Sequence, residues 1–182
     1  MPEEAIQRFS QGIVGVSSLS YLVSLLDMIS EKKIVGSAYT AAIEAHKAGD
    51  TENAAKMYRR VLAYSEKPNV EVFANYGAVL RSMQCAKEAQ VIYRRGLAIY
   101  KNEVTLLRNF ANLELQEGFA SHSLSLLLHA ESLIPEDAKP GKIDAVRRQQ
   151  AEALTELGYP RLALSLLEPI LSKHPKDADN IS

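Results

Sequence analysis

Residues Met57–Ala63 read MYRRVLA, and residues Ile92–Ala98, 35 positions further along the chain, read IYRRGLA. The same shift relates Ala54 to Ala89. A fixed period of roughly 20 to 50 residues is typical of repeat proteins, in which each period is one supersecondary unit. The repeat therefore constrains the fold more strongly than local helix or strand propensities do.

Four copies of this unit follow one another. They start near Val35, Val70, Val104 and Asp144, which gives steps of 35, 34 and 40 residues. The long step contains an insertion over residues 136–141, where Pro140 followed by Gly141 predicts a loop. The predicted boundaries are residues 35–69, 70–103, 104–143 and 144–176, with an N-terminal extension over residues 1–34 and a tail over residues 177–182.

Each copy divides into two helices. In three copies Gly49, Gly118 or Gly158 ends the first helix, because glycine readily adopts the left-handed backbone found there; the second copy has Gln84 and Cys85 instead. The second helix carries a small residue, a large residue four positions later, and a small or apolar residue three positions after that. These triplets are Ala54/Tyr58/Val61, Ala89/Tyr93/Gly96, Ser123/Leu127/Ala130 and Ala163/Leu167/Ile170. The spacing places each triplet on one helix face, which predicts an all-α fold of closely packed helix pairs.

This pattern resembles the tetratricopeptide repeat family. Gly77 stands where the family prefers glycine in the first helix, and Pro135 and Pro175 stand where it ends a repeat with proline. The resemblance covers residues 35–175, although the first two copies depart from the family pattern at their ends. It implies a right-handed superhelical solenoid of antiparallel helix pairs, with a concave and a convex surface.

The N-terminal extension carries an apolar stripe at helical spacing, formed by Leu19, Leu22, Val23, Leu26 and Ile29. The stripe predicts a helix over residues 18–32, which a shorter helix from Glu3 could precede. The serines of this segment argue against a membrane span. The stripe suits either a cap for the solenoid or a contact between copies of the chain, so a homo-oligomer is one prediction. Because no polar capping helix follows Pro175, we expect either a longer protein or a partner that covers the last helix.

Composition disfavours several classes of function. Twenty-one basic and 22 acidic side chains give a net charge of -1, which is not the electrostatic footprint of a non-specific nucleic-acid binder. The single cysteine, Cys85, excludes a disulfide framework and a cysteine-based zinc site. His122 and His129 lie two helical turns apart, about 10 Å, which is too far to share a metal. The acidic residues are expected on solvated helix faces. We therefore predict a cytoplasmic protein without metal, cofactor or catalytic site.

In the tetratricopeptide repeat family, the first helix of each pair lines the concave groove. By that frame the predicted partner-binding residues are Tyr39, Asn75, Arg81, Arg108, Asn109, Asn112, Arg148 and Gln149. Asn75 and Asn109 occupy the same phase, at which peptide-binding members use asparagine to bind the backbone of an extended peptide. The arginines suit partner carboxylates, or else are solvated or paired within the chain.

The resemblance thus implies a non-catalytic scaffold that binds a protein or peptide partner in its groove. It argues against binding of chaperone tails, because the dicarboxylate clamp of heat-shock co-chaperones needs basic residues where this chain has Tyr39 and Thr105. Two alternatives stay open. One is a regulatory or substrate-binding domain of a larger glycosyl- or methyltransferase, and the other is a chaperone of the type III secretion kind.

Overall fold

The computed structural model describes the backbone of residues 16–173 and the side chains of residues 20–172. Within these ranges the chain forms eight α-helices and no β-strand. It divides into two compact units, residues 1–68 and residues 69–182. The all-α fold predicted from the repeat is therefore confirmed.

The first unit contains a pair of helices, α1 (Val16–Lys47) and α2 (Thr51–Tyr64), which pack against each other. Gly49, in the short turn between them, has a φ of 78°. The Asp50 carboxylate accepts a hydrogen bond from the backbone N–H of Asn53 at 3.0 Å and so caps the start of α2. The turn thus ends one helix and begins the next within three residues.

The α1 helix is continuous across the boundary that we predicted at residue 34. The predicted helix over residues 18–32 is present, and it runs directly into the first helix of the first repeat. Gly36 is the most helix-disfavouring residue near the boundary, and a single glycine costs a helix only about 1 kcal/mol. The shorter helix predicted from Glu3 lies outside the described residues. A capping role for residues 1–34 stays a prediction.

The second unit contains six described helices. They are α3 (Val70–Ser82), α4 (Ala86–Ile99), α5 (Val104–Gln116), α6 (Ala120–Ser132), α7 (Pro140–Glu156) and α8 (Pro160–Lys173). Each helix packs against the next, and α5 also contacts both α3 and α7. The first helices of successive pairs therefore lie side by side, which is the arrangement of a solenoid built from helix pairs.

A residue with left-handed backbone ends the first helix of each pair. Gly49, Gly118 and Gly158 have φ values of 78°, 83° and 81°, as their positions in the repeat predicted. In the second pair Gln84 adopts the same conformation, with a φ of 60°. A side chain in this region costs roughly 1–2 kcal/mol, so the α3–α4 turn keeps the geometry of the others at the expense of strain.

Small residues allow α3 and α4 to approach closely around aromatic side chains. Gly77 lies against the ring of Tyr93, and Gly96 lies against the side chain of Phe73. The Tyr93 ring also packs against Phe110 of α5, with 5.9 Å between the ring centroids. The small and large residues of the repeat therefore form the contacts within and between helix pairs.

The loop predicted at Pro140 and Gly141 was wrong, because α7 begins at Pro140. Proline is favoured as the first residue of a helix, since its φ is preset and the amide hydrogen that it lacks would have no partner within the helix. The last two residues of the insertion, Pro140 and Gly141, therefore belong to a helix. The connection that remains between α6 and α7 spans residues 133–139.

Glu114 of α5 does not lie on a solvated face, contrary to our expectation for the acidic residues; it is only 3% exposed. Its Oε1 accepts a hydrogen bond from Nε2 of Gln90 at 2.8 Å, and its Oε2 lies 2.6 Å from Nδ1 of His122. A buried carboxylate is costly without such partners. Glu114 thus joins α5 to α4 on one side and to α6 on the other.

A second polar contact joins α6 to α7. Glu131 accepts hydrogen bonds at 2.8 Å from both Nε of Arg147 and Nε2 of Gln150. Burial raises the pKa of the Glu131 carboxyl, but the hydrogen bonds from Gln150 and Arg147 and the positive charge of Arg147 outweigh it. The pKa of Glu131 therefore lies below its ordinary value of 4.5.

Candidate functional site

A groove runs along the first helices of the third and fourth pairs, α5 and α7. Its volume is about 650 Å³. The lining residues are Asn112, Leu115 and Gln116 of α5, Arg148, Ala151, Glu152, Thr155 and Glu156 of α7, and Leu167 of α8. Asn112 and Arg148 were both predicted as partner-binding residues. The groove therefore combines amide side chains, charges of both signs and apolar side chains.

Arg108 and Gln149, two further predicted residues, bind each other next to this groove. Nε of Arg108 donates a hydrogen bond to Oε1 of Gln149 at 2.8 Å, which links α5 to α7. Both side chains are half-buried, and burial lowers the pKa of the Arg108 guanidinium. The pair thus helps to hold the spacing between the two helices that form the groove.

A smaller cavity of about 380 Å³ adjoins the groove and shares Leu115 and Glu156 with it. Its other lining residues are Gly118, Phe119, Ala120, Ser121, His122 and Leu157. Phe119 is 55% exposed although it is a large apolar side chain. It immediately follows the left-handed Gly118, so the turn fixes where its backbone lies.

Several solved structures resemble the fold of this chain over most of its length. The TPR2B domain of yeast Sti1, in a complex with pHsp70, matches with a TM-score of 0.63 and 16% identity, over 68% of this chain and 98% of that one. YrrB, a TPR protein with an unusual peptide-binding site, matches with a TM-score of 0.64 and 17% identity, over 94% of this chain and 83% of that one. The chain has the tetratricopeptide repeat fold.

A third structure with this tetratricopeptide repeat fold is that of PilF from Pseudomonas aeruginosa. It has a TM-score of 0.67 and 17% identity, over 80% of this chain and 64% of that one. No family model and no curated protein matches the sequence. The likeness therefore lies in the fold, and the four recurring helix pairs predicted from the sequence account for it.

The remaining predicted groove residues do not line either cavity. In the tetratricopeptide repeat frame Asn75 and Arg81 lie on α3, the first helix of the second pair, and Asn109 lies on α5; all three are half-buried. Tyr39 lies on α1 in the first unit and is also half-buried. A partner-binding role for these residues stays a prediction.

Phe119 was not singled out from the sequence. The tetratricopeptide repeat frame does place Glu152 and Glu156 on the groove-facing side of α7, although neither was counted among the predicted partner-binding residues. Glu152 and Glu156 lie one helical turn apart on α7, and neither forms an ion pair with a described residue. A signal was present for Phe119: a large apolar residue occupies the N-cap of α6, where a polar side chain is preferred.

The predicted apolar stripe of the first unit is largely exposed. Val23, Leu26 and Ile29 are 53%, 64% and 45% exposed, whereas Leu22 is half-buried. The side chain of Leu19 lies outside the described set. Self-association through this stripe stays a prediction.

None of the described helices is long and apolar enough to cross a membrane. The described part of the chain also contains no group of three or more histidine, cysteine or acidic residues placed to hold a metal ion.

Proposed function

We propose that this protein is a non-catalytic interaction scaffold that binds an extended segment of a partner protein in the groove between α5 and α7. The observation that carries the proposal is the groove itself, where Asn112 and Arg148 face a common cavity of about 650 Å³. An amide side chain can both donate to and accept from the backbone of an extended peptide. An arginine adds a planar donor for a carbonyl or carboxylate.

The link between Arg108 and Gln149 supports the same proposal. A groove binds an extended chain tightly only when its walls are already in place, because ordering them on binding reduces the affinity. The 2.8 Å bond between these side chains joins the two wall helices without occupying the cavity. Sti1 in its complex with pHsp70 and YrrB with its peptide-binding site are precedents for such binding on this fold.

The test begins with selection from a phage-displayed library of random 12-residue peptides. Selected peptides are then synthesised, and their affinity is measured for the wild-type chain and for the Asn112→Ala, Arg148→Ala double variant. We expect the double variant to bind about tenfold more weakly or worse, since each lost hydrogen bond costs about 1 kcal/mol. The Asn102→Ala, Lys142→Ala variant is the matched control, because both residues are exposed and neither lines a cavity.

A second double variant, Asn75→Ala and Asn109→Ala, tests how far the binding surface extends. Removal of either amide should weaken peptide binding by about 1–2 kcal/mol and leave stability nearly unchanged. Unchanged affinity in this variant would restrict the site to the groove between α5 and α7. If the library yields no binding peptide, or if the groove variant binds like its control, the proposed function is wrong.

A second candidate is a regulatory or substrate-binding repeat domain within a larger enzyme. The favouring observation is the likeness to an O-GlcNAc transferase of Thermobaculum terrenum, with a TM-score of 0.57 and 21% identity over 68% of this chain but only 22% of that one. Sequencing of the complete reading frame and its transcript distinguishes the two candidates. A transferase domain in the same frame would favour the second.

A further inference from the structure

We infer that the groove selects a partner segment in which a lysine or arginine lies next to a large apolar residue. This inference rests on the proposed function and specifies its ligand. The basic side chain would bind Glu152 and Glu156, and the apolar side chain would pack against Phe119 and Leu157 in the adjoining cavity.

The charge distribution of the groove carries the first half of the inference. Glu152 and Glu156 are exposed, line the same cavity and lie four residues apart, so their carboxylates are neighbours on one helix face. Neither pairs with a cation among the described residues. Since the only basic side chain that lines the groove is Arg148, the lining carries a net negative charge. A cationic side chain of the ligand complements this charge.

The preference for a large apolar residue in the ligand rests on the adjoining cavity. Glu156 and Leu115 line both cavities, so a chain that places a basic residue at Glu156 passes directly into the smaller one. There Phe119 is 55% exposed, and Leu157 also lines the cavity. Exposed apolar side chains in a concave site are the usual anchors of a binding surface. The adjacency of the two cavities requires the basic and apolar residues of the ligand to be neighbours.

The buried carboxylate of Glu114 makes this cavity wall rigid. It fixes the His122 ring through Nδ1 at 2.6 Å, and His122 is itself a lining residue. The ring also packs edge-on against Phe110, with 5.6 Å between the centroids. Because the imidazole is held from two sides, the cavity beside Phe119 keeps its shape before a ligand arrives, which favours selection of a defined side chain.

The experiment compares the peptides that the 12-residue phage library yields with wild-type protein and with the Glu152→Lys, Glu156→Lys variant. We expect wild-type selections to be enriched in lysine or arginine next to an apolar residue, and those of the variant in aspartate or glutamate. Replacing the basic residue of a selected synthetic peptide by glutamate should weaken wild-type binding about tenfold at low salt, and less at high salt. The Phe119→Ala variant should lose the apolar preference and keep the basic one.

The Glu136→Lys, Asp137→Lys variant is the matched control. It changes the net charge by the same amount at exposed residues between α6 and α7 that line neither cavity, so it should keep the wild-type preference. Circular dichroism melting establishes that each variant is folded, and Glu152→Gln, Glu156→Gln replaces the lysine variant if it is not. Bound peptides without a basic preference, or an equal shift in the control, would overturn this inference and leave the proposed function standing. If no peptide binds, both are wrong.

Discussion

Gly77 of α3 lies in direct contact with the ring of Tyr93 of α4, and a Cβ at position 77 would overlap that ring. Tyr93 is fully buried, and its other neighbour, Phe110, belongs to the next helix pair. The ring is therefore enclosed by α3 on one side and by α5 on the other. One glycine thus sets both the distance between α3 and α4 and the position of α5.

Substitution of this glycine should be costly. We expect Gly77→Ala to lower the free energy of unfolding by about 2 kcal/mol, the usual cost of overpacking a core. Gly141→Ala is the control, because it lies in α7 with no atom within 4 Å of the added methyl group; alanine should leave stability unchanged or raise it there. Urea denaturation measures both. Equal stabilities of the two variants would mean that Tyr93 can shift without loss of packing.

A substitution in the strained turn between α3 and α4 should raise the stability of the protein. Gln84 has a φ of 60°, which glycine adopts without steric cost. Gln84→Gly should therefore raise the free energy of unfolding by about 0.5–1 kcal/mol. This net value includes the opposing effect of glycine, which increases the conformational entropy of the unfolded chain. Gln116→Gly, at an ordinary helical residue of α5, should lower it. A thermal melting temperature that falls in both variants would contradict the argument.

Tyr93 should make the protein sensitive to alkali. Burial raises the pKa of the Tyr93 phenol from 10.0 to about 12, although the charge of Arg81 partly opposes this. The unfolded chain loses this proton near pH 10 and the folded chain does not, so stability is full below pH 10 and falls as the pH rises towards 12. In the Tyr93→Phe variant, the free energy of unfolding should fall by about 2 kcal/mol less than in the wild type over this pH range.

Stability at pH 7 gives the control for that variant. The Tyr93 hydroxyl is buried without a hydrogen-bond partner in the described structure, so its removal should not destabilise the protein at neutral pH. Urea denaturation between pH 7 and pH 11.5 measures the difference between wild type and variant. Parallel pH profiles would show that Tyr93 ionises normally.

The stability of the protein at acidic pH should depend on the ionisation of Glu131. Its pKa lies below 4.5, so its stabilising contribution is present above about pH 4.5 and is lost as the pH falls through the lowered value. Glu131→Gln should lower the free energy of unfolding by about 1–2 kcal/mol at pH 7, and by less at pH 3. Glu136→Gln, an exposed residue in the following connection, should have no effect at either pH. A difference that does not depend on pH would exclude an ionised Glu131 as the cause.

Much of the fold could be predicted from the 35-residue recurrence around Tyr58 and Tyr93, because a period fixes which residues share a phase. The repeat frame also predicted groove-facing positions for Asn112 and Arg148, and both side chains line the cavity between α5 and α7. Pro140 could not be assigned, since proline after a loop is equally compatible with a turn and with the first residue of a helix. The polar partners of the buried Glu114 lie 24 residues before it and eight residues after it, and a local sequence pattern does not reveal them.

The contacts of Glu114 also determine how the array can open. If neighbouring helices met only through apolar side chains, terminal pairs could separate one at a time. Separation of α5 from α4 would instead break the hydrogen bond between Gln90 and Glu114, and separation of α5 from α6 would break the contact between Glu114 and His122. We therefore expect the three-helix block α4–α6, which crosses the boundary between two repeats, to exchange its amide hydrogens as one cooperative unit.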